Sequence, residues 1–328
     1  MPIARSKQII LTETSYYHCI SRCVRRAFLC GKDKLTGKNY EYRRAWFENR
    51  LNELSAAFAI NVCAYAIMHN HNHLVLYVDS KLANSWSDLE VIQRWHSVHS
   101  NKLLSQIFQN TTKHHVLNNE QKSTVKRLAR IYRDRLSSIS FFMKALNQNI
   151  AIRANKEDKC TGKFWESRFK SQALLDERAV LSCMIYVDLN PIRAGIATSL
   201  QNSNYTSIKK RLACIKTGHQ PSNLMPLKVA FSPSSECINI ELKSYLKLIR
   251  QTADQLQKQE QSTHLKKVVK LVLLDKIGID EKAWLTLSMK FEDTFSYVVG
   301  PVANMDEYRK KLNQKKLKGM SVAARIFQ

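Results

Sequence analysis

The chain has 328 residues, enough for about two domains, and 44 % of them are hydrophobic, which excludes disordered and collagen-like proteins. Lysine and arginine number 52 against 27 aspartates and glutamates, so the formal net charge is +25. This excess is typical of a protein that binds a polyanion, either nucleic acid or an anionic membrane surface. Residues 1–200 carry +14 and residues 201–328 carry +11, so both parts would face the same polyanion, unless the whole surface is simply basic and solvated.

Neither a membrane span nor a secretory signal is expected. The apolar patch at 268–274 is interrupted by a lysine and is far shorter than the roughly 20 apolar residues of a spanning helix. No long apolar stretch follows the basic N-terminal residues, as it would in a secretory signal. We therefore expect a cytoplasmic protein with no membrane partner.

The eight cysteines contain no CxxC pair. Cys19 and Cys23 lie four positions apart, but no second pair at the spacing of zinc ligands matches them. In a cytoplasmic protein this distribution favours free, reduced thiols, and a structural zinc site is the alternative.

Hydrophobic periodicity predicts alternating strands and helices in the first half of the chain. The first long helix is indicated by Phe47, Leu51, Leu54 and Phe58, which recur at the 3.6-residue period. In chain order, we predict a strand at 14–24, a helix at 41–59, strands at 61–68 and 73–78, helices with basic faces within 84–150, and a short strand at 168–174.

The second half of the chain is predicted to be mainly helical. One helix runs from Asp176, a good N-cap, to about Asn190. The segment 219–226 contains two prolines and has the composition of a linker. Beyond it, we predict an amphipathic helix within 242–256, another helix starting near Ser262, and a basic run at 309–318 that is either solvated or in contact with a phosphate backbone.

A run of alternating histidines and asparagines, His69-Asn70-His71-Asn72-His73, precedes an apolar strand. On an extended chain, residues i and i+2 point to the same face, so His71 and His73 would direct both imidazoles at one point. Two convergent imidazoles are a common start of a divalent-metal site, for which a third ligand would come from elsewhere. The alternative is a polar turn whose histidines are merely exposed.

The predicted helix after Asp176 carries a tyrosine on its polar side. Tyr186 lies about 200° around the helix from Met184, which belongs to the apolar stripe. The face of Tyr186 also holds Ser182 and Asn190, and the asparagine can offer a carbonyl oxygen to a metal. Tyr186 is therefore either part of a site or a surface aromatic, and Pro191 ends or kinks the helix just beyond it.

Together these motifs resemble those of the single-tyrosine HUH transposases, and especially of the branch called REP-associated tyrosine transposases. The resemblance covers about residues 10–200, with a long insertion at about 81–150 relative to compact members. It rests on four motifs in the order and rough spacing of the family, namely Tyr17-His18 with Arg22, residues 64–78 around the histidines, Phe164-Trp165-Glu166 with Arg168-Phe169, and Tyr186-Val187-Asp188-Leu189-Asn190-Pro191.

The resemblance implies an α+β fold, with a ferredoxin-like antiparallel sheet and helices on one face. To this we add a helical insertion and a mainly helical C-terminal region. The expected domains are a catalytic domain at 1–200, with the insertion at about 81–150, and a basic region at 201–328, for which nucleic-acid binding is one expectation. Members of the family act as monomers or dimers, so a homodimer is compatible with the resemblance.

The resemblance also implies a chemistry. In this family, the two histidines and a residue one helical turn after the tyrosine bind Mg²⁺ or Mn²⁺, which here corresponds to His71, His73 and Asn190. The nucleophile would be Tyr186, whose attack on a metal-polarised phosphate gives a 5′-phosphotyrosine link and a free 3′-OH. A free tyrosine has a pKa near 10, so the metal and a cationic surround have to assist it.

The sequence departs from the family pattern at the middle position of the histidine motif. That position is usually apolar and here is Asn72. The alternative frame from His69 to His71 also has an asparagine in its middle. We prefer His71 with His73, because an asparagine then precedes the first histidine as in the family, and Leu74 begins the strand.

The resemblance implies single-stranded DNA with hairpins near the cut as the partner. Contacts to the DNA backbone are expected from the basic residues that flank the motifs, which are Arg22, Arg25, Arg26, Arg168 and Lys170. Two other functions stay open, a domesticated protein that binds DNA or RNA hairpins without cleavage, and a metallonuclease that uses water and would tolerate Tyr186→Phe. The complete set of histidines, tyrosine and asparagine favours an enzyme that nicks and rejoins DNA.

Overall fold

The computed structural model describes residues 4–24, 30–33, 37–99, 118–217, 219–228, 237–261, 274 and 278–327. Two of the expected DNA contacts, Arg25 and Arg26, lie outside these residues, as does the helix start predicted near Ser262. Within the described ranges, no helix combines the length and apolar character needed to cross a membrane. All eight cysteines are described, and each is a free thiol.

The sheet has the strand order of a ferredoxin-like fold. The strands are β1 (Tyr16–Arg22), β2 (Ile60–Ile67), β3 (His71–Val78), β4 (Lys170–Leu174), β5 (Leu227–Lys228), β6 (Ile238–Glu241) and β7 (Val298–Val299). Five of them form one sheet in the order β2-β3-β1-β4-β7, with β1 antiparallel to both β3 and β4, and β7 parallel to β4. The predicted α+β class is confirmed, and β7 is an addition at the β4 edge.

Helices occupy most of the remaining described chain. They are α1 (Arg5–Gln8), α2 (Arg43–Ala57), α3 (Ser80–Ser85), α4 (Asp88–Val98), α5 (Asn119–Leu136), α6 (Ile139–Glu157), α7 (Glu177–Asp188), α8 (Asn190–Arg193), α9 (Ser207–Thr217), α10 (Leu242–Gln261), α11 (Glu281–Thr294), α12 (Val302–Lys311) and α13 (Met320–Ile326). The mainly helical C-terminal region is confirmed.

Local sequence explains where the elements of the site begin and end. β3 begins at His71 rather than at residue 73, so both histidines of the motif lie inside the strand. The turn before it is a tight hairpin, in which the Met68 amide donates to the His71 carbonyl at 2.8 Å. Helix α7 begins where predicted, because the Asp176 carboxylate accepts a hydrogen bond from the Ala179 amide at 2.8 Å.

The chain divides into two compact units, residues 1–45, 62–77 and 162–328, and residues 46–61 and 78–161. The second unit contains the stretch predicted as a helical insertion. Within it, the Arg50 guanidinium donates to the Val98 carbonyl at 2.9 Å, and Arg153 lies 3.8 Å from the ring centroid of Trp46.

In the first unit, residues beyond 200 pack on the sheet and on the N-terminal segment. The Arg211 guanidinium of α9 donates to the carbonyls of Cys63 and Met225, at 2.9 and 3.0 Å. The Tyr308 hydroxyl donates to the carbonyl of Gln8 at 2.6 Å. The residues after 200 therefore belong to the same packed body as the strands, and a separate role for 201–328 stays a prediction.

A buried carboxylate ties the end of α7 to α9 and α10. Asp188 is fully buried and accepts hydrogen bonds from the Ser207 hydroxyl, from the Ile208 amide at 2.9 Å and from the Tyr245 hydroxyl at 2.5 Å. Burial raises the pKa of this carboxyl to about 6, and the hydrogen bonds oppose that shift. The three bonds hold the segment that follows Tyr186 in place.

Replacing Asp188 with alanine is expected to cost about 3 kcal/mol of unfolding free energy, because the Tyr245 hydroxyl and the Ile208 amide would stay buried without this acceptor and the Ser207 hydroxyl would keep only its contacts with the Tyr65 backbone. The variant Tyr245→Phe removes only one of these donors and is expected to cost about 1 kcal/mol. Urea denaturation of both variants beside the wild-type protein measures the two losses. Equal losses would contradict the central role of the carboxylate.

Candidate active site

One face of the five-stranded sheet gathers histidines and polar side chains. Arg22 of β1 lies opposite His71 of β3, and His18 of β1 lies opposite Gln172 of β4. Opposed residues of an antiparallel pair point to the same face, and so do residues two apart on one strand. His73 therefore joins this face, and its ring centroid lies 4.9 Å from that of His71. The structure brings the two predicted histidines together.

A chain of hydrogen bonds fixes which nitrogen of His73 carries the proton. The Gln172 Nε2 donates to the Phe295 carbonyl at 2.9 Å, so its Oε1 faces His18, whose Nδ1 lies 2.7 Å away and donates to it. The other nitrogen of a neutral His18 is an acceptor, and it lies 3.0 Å from the His73 Nδ1, which donates. The His73 Nε2 keeps a free lone pair, and this atom is buried with no hydrogen-bond partner among the described residues.

The second histidine has an equivalent tautomer. The His71 Nδ1 lies 2.6 Å from the Asn70 Oδ1, an acceptor, so Nδ1 carries the proton and Nε2 the lone pair. Of the three histidines in the motif, His69 is exposed in the turn before β3, and His71 and His73 have their rings in contact.

All three histidines of this face are neutral at pH 7. Burial lowers the pKa of His18 and of His71 to about 4, and in His71 the charge of Arg22 adds to the shift. Burial, followed by the charge of His71, lowers the pKa of His73 well below its ordinary value. Neutral imidazoles are the form that a metal ion binds.

Helix α7 carries Tyr186 against this histidine face. The Tyr186 ring meets His73 edge-on with centroids 5.8 Å apart, and it lies 5.6 Å from Phe291 of α11. Only 6 % of Tyr186 is exposed, because α11 packs against α7 on the side that the sequence shows as a polar strip. Tyr186 is therefore not a surface aromatic, and burial raises the pKa of its phenol.

An arginine opposes that shift. Arg193 of α8 lies 3.8 Å from the Tyr186 ring centroid, and its charge and hydrogen bonding lower the pKa of the phenol. Its guanidinium also donates to the carbonyls of Met289, at 2.6 Å, and of Tyr186, at 3.3 Å. These bonds hold a positive charge where a phenolate would form.

The third predicted ligand is buried one helical turn after the tyrosine. Asn190 is 7 % exposed, and its Nδ2 has no hydrogen-bond partner in the described chain. Within that part of the chain, no three His, Cys, Asp or Glu side chains are arranged to hold a metal ion. The predicted set of two imidazoles and one amide is of a different kind. The unpartnered Nε2 of His73 fits it, whereas the unpartnered Nδ2 of Asn190 is a hydrogen-bond donor, so the ligand atom of Asn190 would be its Oδ1.

The expected DNA contacts differ in their surroundings. Arg22 shares the histidine face, while Arg168 and Lys170 are exposed. Lys170 pairs with Glu292 of α11 at 3.4 Å. Because Lys170 lies opposite Ile20 and two residues before Gln172, it shares the histidine face with Arg22, whereas Arg168 lies in the stretch just before β4.

Five residues around Tyr186 and His73 were not predicted as site residues, namely His18, Gln172, Arg193, Phe291 and Glu292. The negative charge of Glu292 acts on the pKa of His18, His71 and Tyr186, all in the raising direction. Two of them could have been found from the sequence. His18 belongs to the first matched motif, and Arg193 follows Tyr186 by seven residues, about two helical turns.

We expect the protein to lose stability as the pH falls from 7 to 5. All three histidines take up protons below about pH 6.5 in the unfolded chain. In the folded chain the pKa of His18 and of His71 is about 4 and that of His73 is well below its ordinary value, so each contributes up to about 1.4 kcal/mol per pH unit. The raised pKa of Asp188 acts in the opposite direction below pH 6, and three histidines outweigh one carboxyl. Urea midpoints across this range test the slope, and a flat profile would contradict neutral histidines.

Comparisons with known proteins add little to this geometry. No family model matches the chain, and no curated protein matches it. Among solved structures, a REP-associated tyrosine transposase bound to a REP hairpin aligns with 70 % of this chain and 94 % of its own, at 10 % sequence identity and a TM-score of 0.36. A likeness of this degree carries no argument, so the functional conclusion depends on the residues of the site.

Proposed function

We propose that the protein is a metal-dependent enzyme that nicks single-stranded DNA at hairpin-flanked sites and transfers the strand, as a transposase, through a 5′-phosphotyrosine intermediate on Tyr186. The observation that carries this proposal is the edge-on contact of the Tyr186 ring with His73, whose buried Nε2 has a free lone pair. The contact brings a phenol and a neutral imidazole nitrogen together at one site, the two kinds of group that attack on a metal-bound phosphate requires.

His71, His73 and Asn190 would hold the metal. When bound, Mg²⁺ or Mn²⁺ would polarise the scissile phosphate and offset its negative charge. The chain of bonds from Phe295 through Gln172 and His18 keeps the His73 lone pair available for this role.

Tyr186 and Arg193 would carry out the covalent step. The phenol gives up its proton as its oxygen bonds to phosphorus, and the bond from phosphorus to the 3′ oxygen breaks, so that this oxygen leaves as a hydroxyl. Arg193, 3.8 Å from the ring centroid, stabilises the negative charge that develops on the phenol oxygen. The covalent link keeps the phosphodiester energy, so a second 3′-OH can reverse the reaction without ATP.

The proposed substrate is single-stranded DNA with hairpins. The net charge of +25 suits a polyanion, and Arg22, Arg168 and Lys170 would contact the backbone near the site. A homodimer is compatible with this proposal, and the proposed chemistry does not depend on it.

A hairpin-binding protein without cleavage is the second candidate. The burial of Tyr186 favours it, because a nucleophile that is 6 % exposed has to become accessible to the phosphate. The buried Asn72 also favours it. This residue stands at the middle position of the histidine motif, and its Oδ1 has no hydrogen-bond partner in the described residues, which is unusual for a buried polar atom.

A denaturing gel distinguishes the candidates. Purified protein is mixed with labelled single-stranded DNA that carries the hairpins flanking its own gene, with Mn²⁺, Mg²⁺ or EDTA. The proposed enzyme gives a labelled band at protein size with either metal and none with EDTA. Cleavage without this band indicates a nuclease that uses water, and tight binding with no cleavage indicates the binding protein.

A further inference from the structure

A cavity of about 530 Å³ opens beside the histidine face. Its lining includes Gln172, which holds His18, and Glu292, whose charge acts on Tyr186. The cavity is therefore two hydrogen bonds away from His73, through Gln172 and His18. Its volume lies in the range of sites for single small ligands, which is about 300–1,000 Å³.

The lining is strongly cationic. It contains four basic side chains, Arg5, Arg168, Lys170 and Lys318, and one carboxylate, Glu292. Glu292 pairs with Lys170, and neither Arg168 nor Lys318 forms an ion pair with a described residue. Burial lowers the pKa of Arg5, and the neighbouring charge of Arg168 lowers it further. A bound anion would relieve this crowding of like charges.

The cavity also offers groups that suit a nucleobase. Ser167 and Ser171 line it with hydroxyls that donate to the Arg168 carbonyl at 2.9 Å and to the Gln8 Oε1 at 3.2 Å and can still accept a hydrogen bond, and the half-buried Tyr297 is the aromatic tyrosine of the lining. The Tyr297 carbonyl accepts a hydrogen bond from the Ala173 amide at 2.8 Å, which fixes the backbone of this residue against β4. Phosphate-binding cations together with a ring and hydroxyls are the set that proteins use for unpaired nucleotides.

The walls come from three distant parts of the chain. Arg5 belongs to the N-terminal segment, Arg168 to the stretch before β4, and Lys318 to the C-terminal region. The Tyr308 hydroxyl, which donates to the Gln8 carbonyl at 2.6 Å, joins the first and the last of these. The C-terminal region, for which the sequence offered no motif, thus completes this cavity.

We propose that this cavity binds one unpaired nucleotide of the DNA strand, next to the phosphate that Tyr186 attacks. Its phosphate lies among Arg168, Lys170 and Lys318, and its base lies against Tyr297 and the serines. A duplex is too wide for a cavity of this size, so the occupant is single-stranded. The position beside the cut rests on the proposed function, whereas the binding of a nucleotide does not.

The test measures binding without turnover. All variants carry Tyr186→Phe, the buffer contains EDTA, and the probe is a fluorescent single-stranded oligonucleotide without a hairpin. The double variant Arg168→Gln with Lys318→Gln is expected to bind several-fold more weakly and to reduce the slope of log affinity against log salt by about 0.7, the value for one phosphate contact to a single strand. The matched control is Lys315→Gln with Lys316→Gln, two exposed lysines that do not line the cavity.

Competition identifies the occupant. A deoxynucleoside monophosphate is expected to displace the probe at lower concentration than inorganic phosphate, and a blunt duplex is expected to displace it poorly. Equal weakening by both double variants, or equal competition by phosphate or duplex, would overturn the proposal. A wild-type protein that forms no covalent adduct but binds through Lys318 would refute the nicking function and leave the nucleotide site standing.

Discussion

Replacing Tyr186 with phenylalanine is expected to remove the covalent DNA adduct completely and to slow cleavage by at least about 10⁴-fold, the order of loss when a covalent nucleophile is deleted. The substitution keeps the aromatic ring, which packs between His73 and Phe291, so the fold is expected to stay intact. The labelled band at protein size on a denaturing gel is the measurement.

A matched control for Tyr186→Phe is Tyr42→Phe, since Tyr42 is 44 % exposed and takes no part in the histidine face. Its adduct is expected to equal that of the wild-type protein. If Tyr186→Phe still formed an adduct, another side chain would be the nucleophile. If the wild-type protein and Tyr186→Phe cleaved equally well with no adduct, the enzyme would use water.

The second large effect concerns the metal. His73→Ala is expected to abolish Mn²⁺ binding and Mn²⁺-dependent cleavage, because it removes the nitrogen whose lone pair the bond chain keeps free. Gln172→Leu is expected to weaken Mn²⁺ binding by about 10- to 100-fold, the usual cost of losing a residue that orients a metal ligand. Without the Gln172 acceptor, His18 can place its proton on the nitrogen that faces His73.

Calorimetric titration with Mn²⁺, in the absence of DNA, measures both variants independently of activity. Urea midpoints show whether either substitution has unfolded the protein. A loss of affinity in Gln172→Leu equal to that in His73→Ala would indicate general damage to the site. It would contradict a role of Gln172 that is limited to orienting His73 through His18. Wild-type affinity in His73→Ala would remove this histidine from the metal site.

Much of the scaffold follows from short-range patterns. The strands β1, β2 and β4 lie within two residues of their predicted bounds, and in β1 and β2 β-branched and aromatic residues mark them. The start of α7 at Glu177 follows from the N-cap chemistry of the Asp176 side chain. The convergence of His71 and His73 follows from the two-residue period of a strand, which needs no knowledge of other segments.

The polar strip that carries Tyr186 illustrates where a local pattern becomes ambiguous. On sequence alone, such a strip is either exposed or part of a site. The structure buries it under α11, with Phe291 against the tyrosine ring. Phe291 lies 105 positions beyond Tyr186 along the chain, so the helical periodicity within 176–190 cannot indicate that α11 packs there.

The sequence by itself determined the order of the strands β1 to β4 and of the long helices α2 and α7, the convergence of His71 and His73, and the basic character of both parts of the chain. Only the tertiary structure decided the tautomer of His73, through Gln172 and Phe295, and the closing of the nucleotide-sized cavity by the C-terminal region. The hydrogen bonds that set this tautomer join His18 to Gln172, 154 positions apart, and Gln172 to Phe295, 123 positions apart. Such contacts depend on how strands pair and segments pack, and hydrophobic periods and caps encode only neighbours within a few residues.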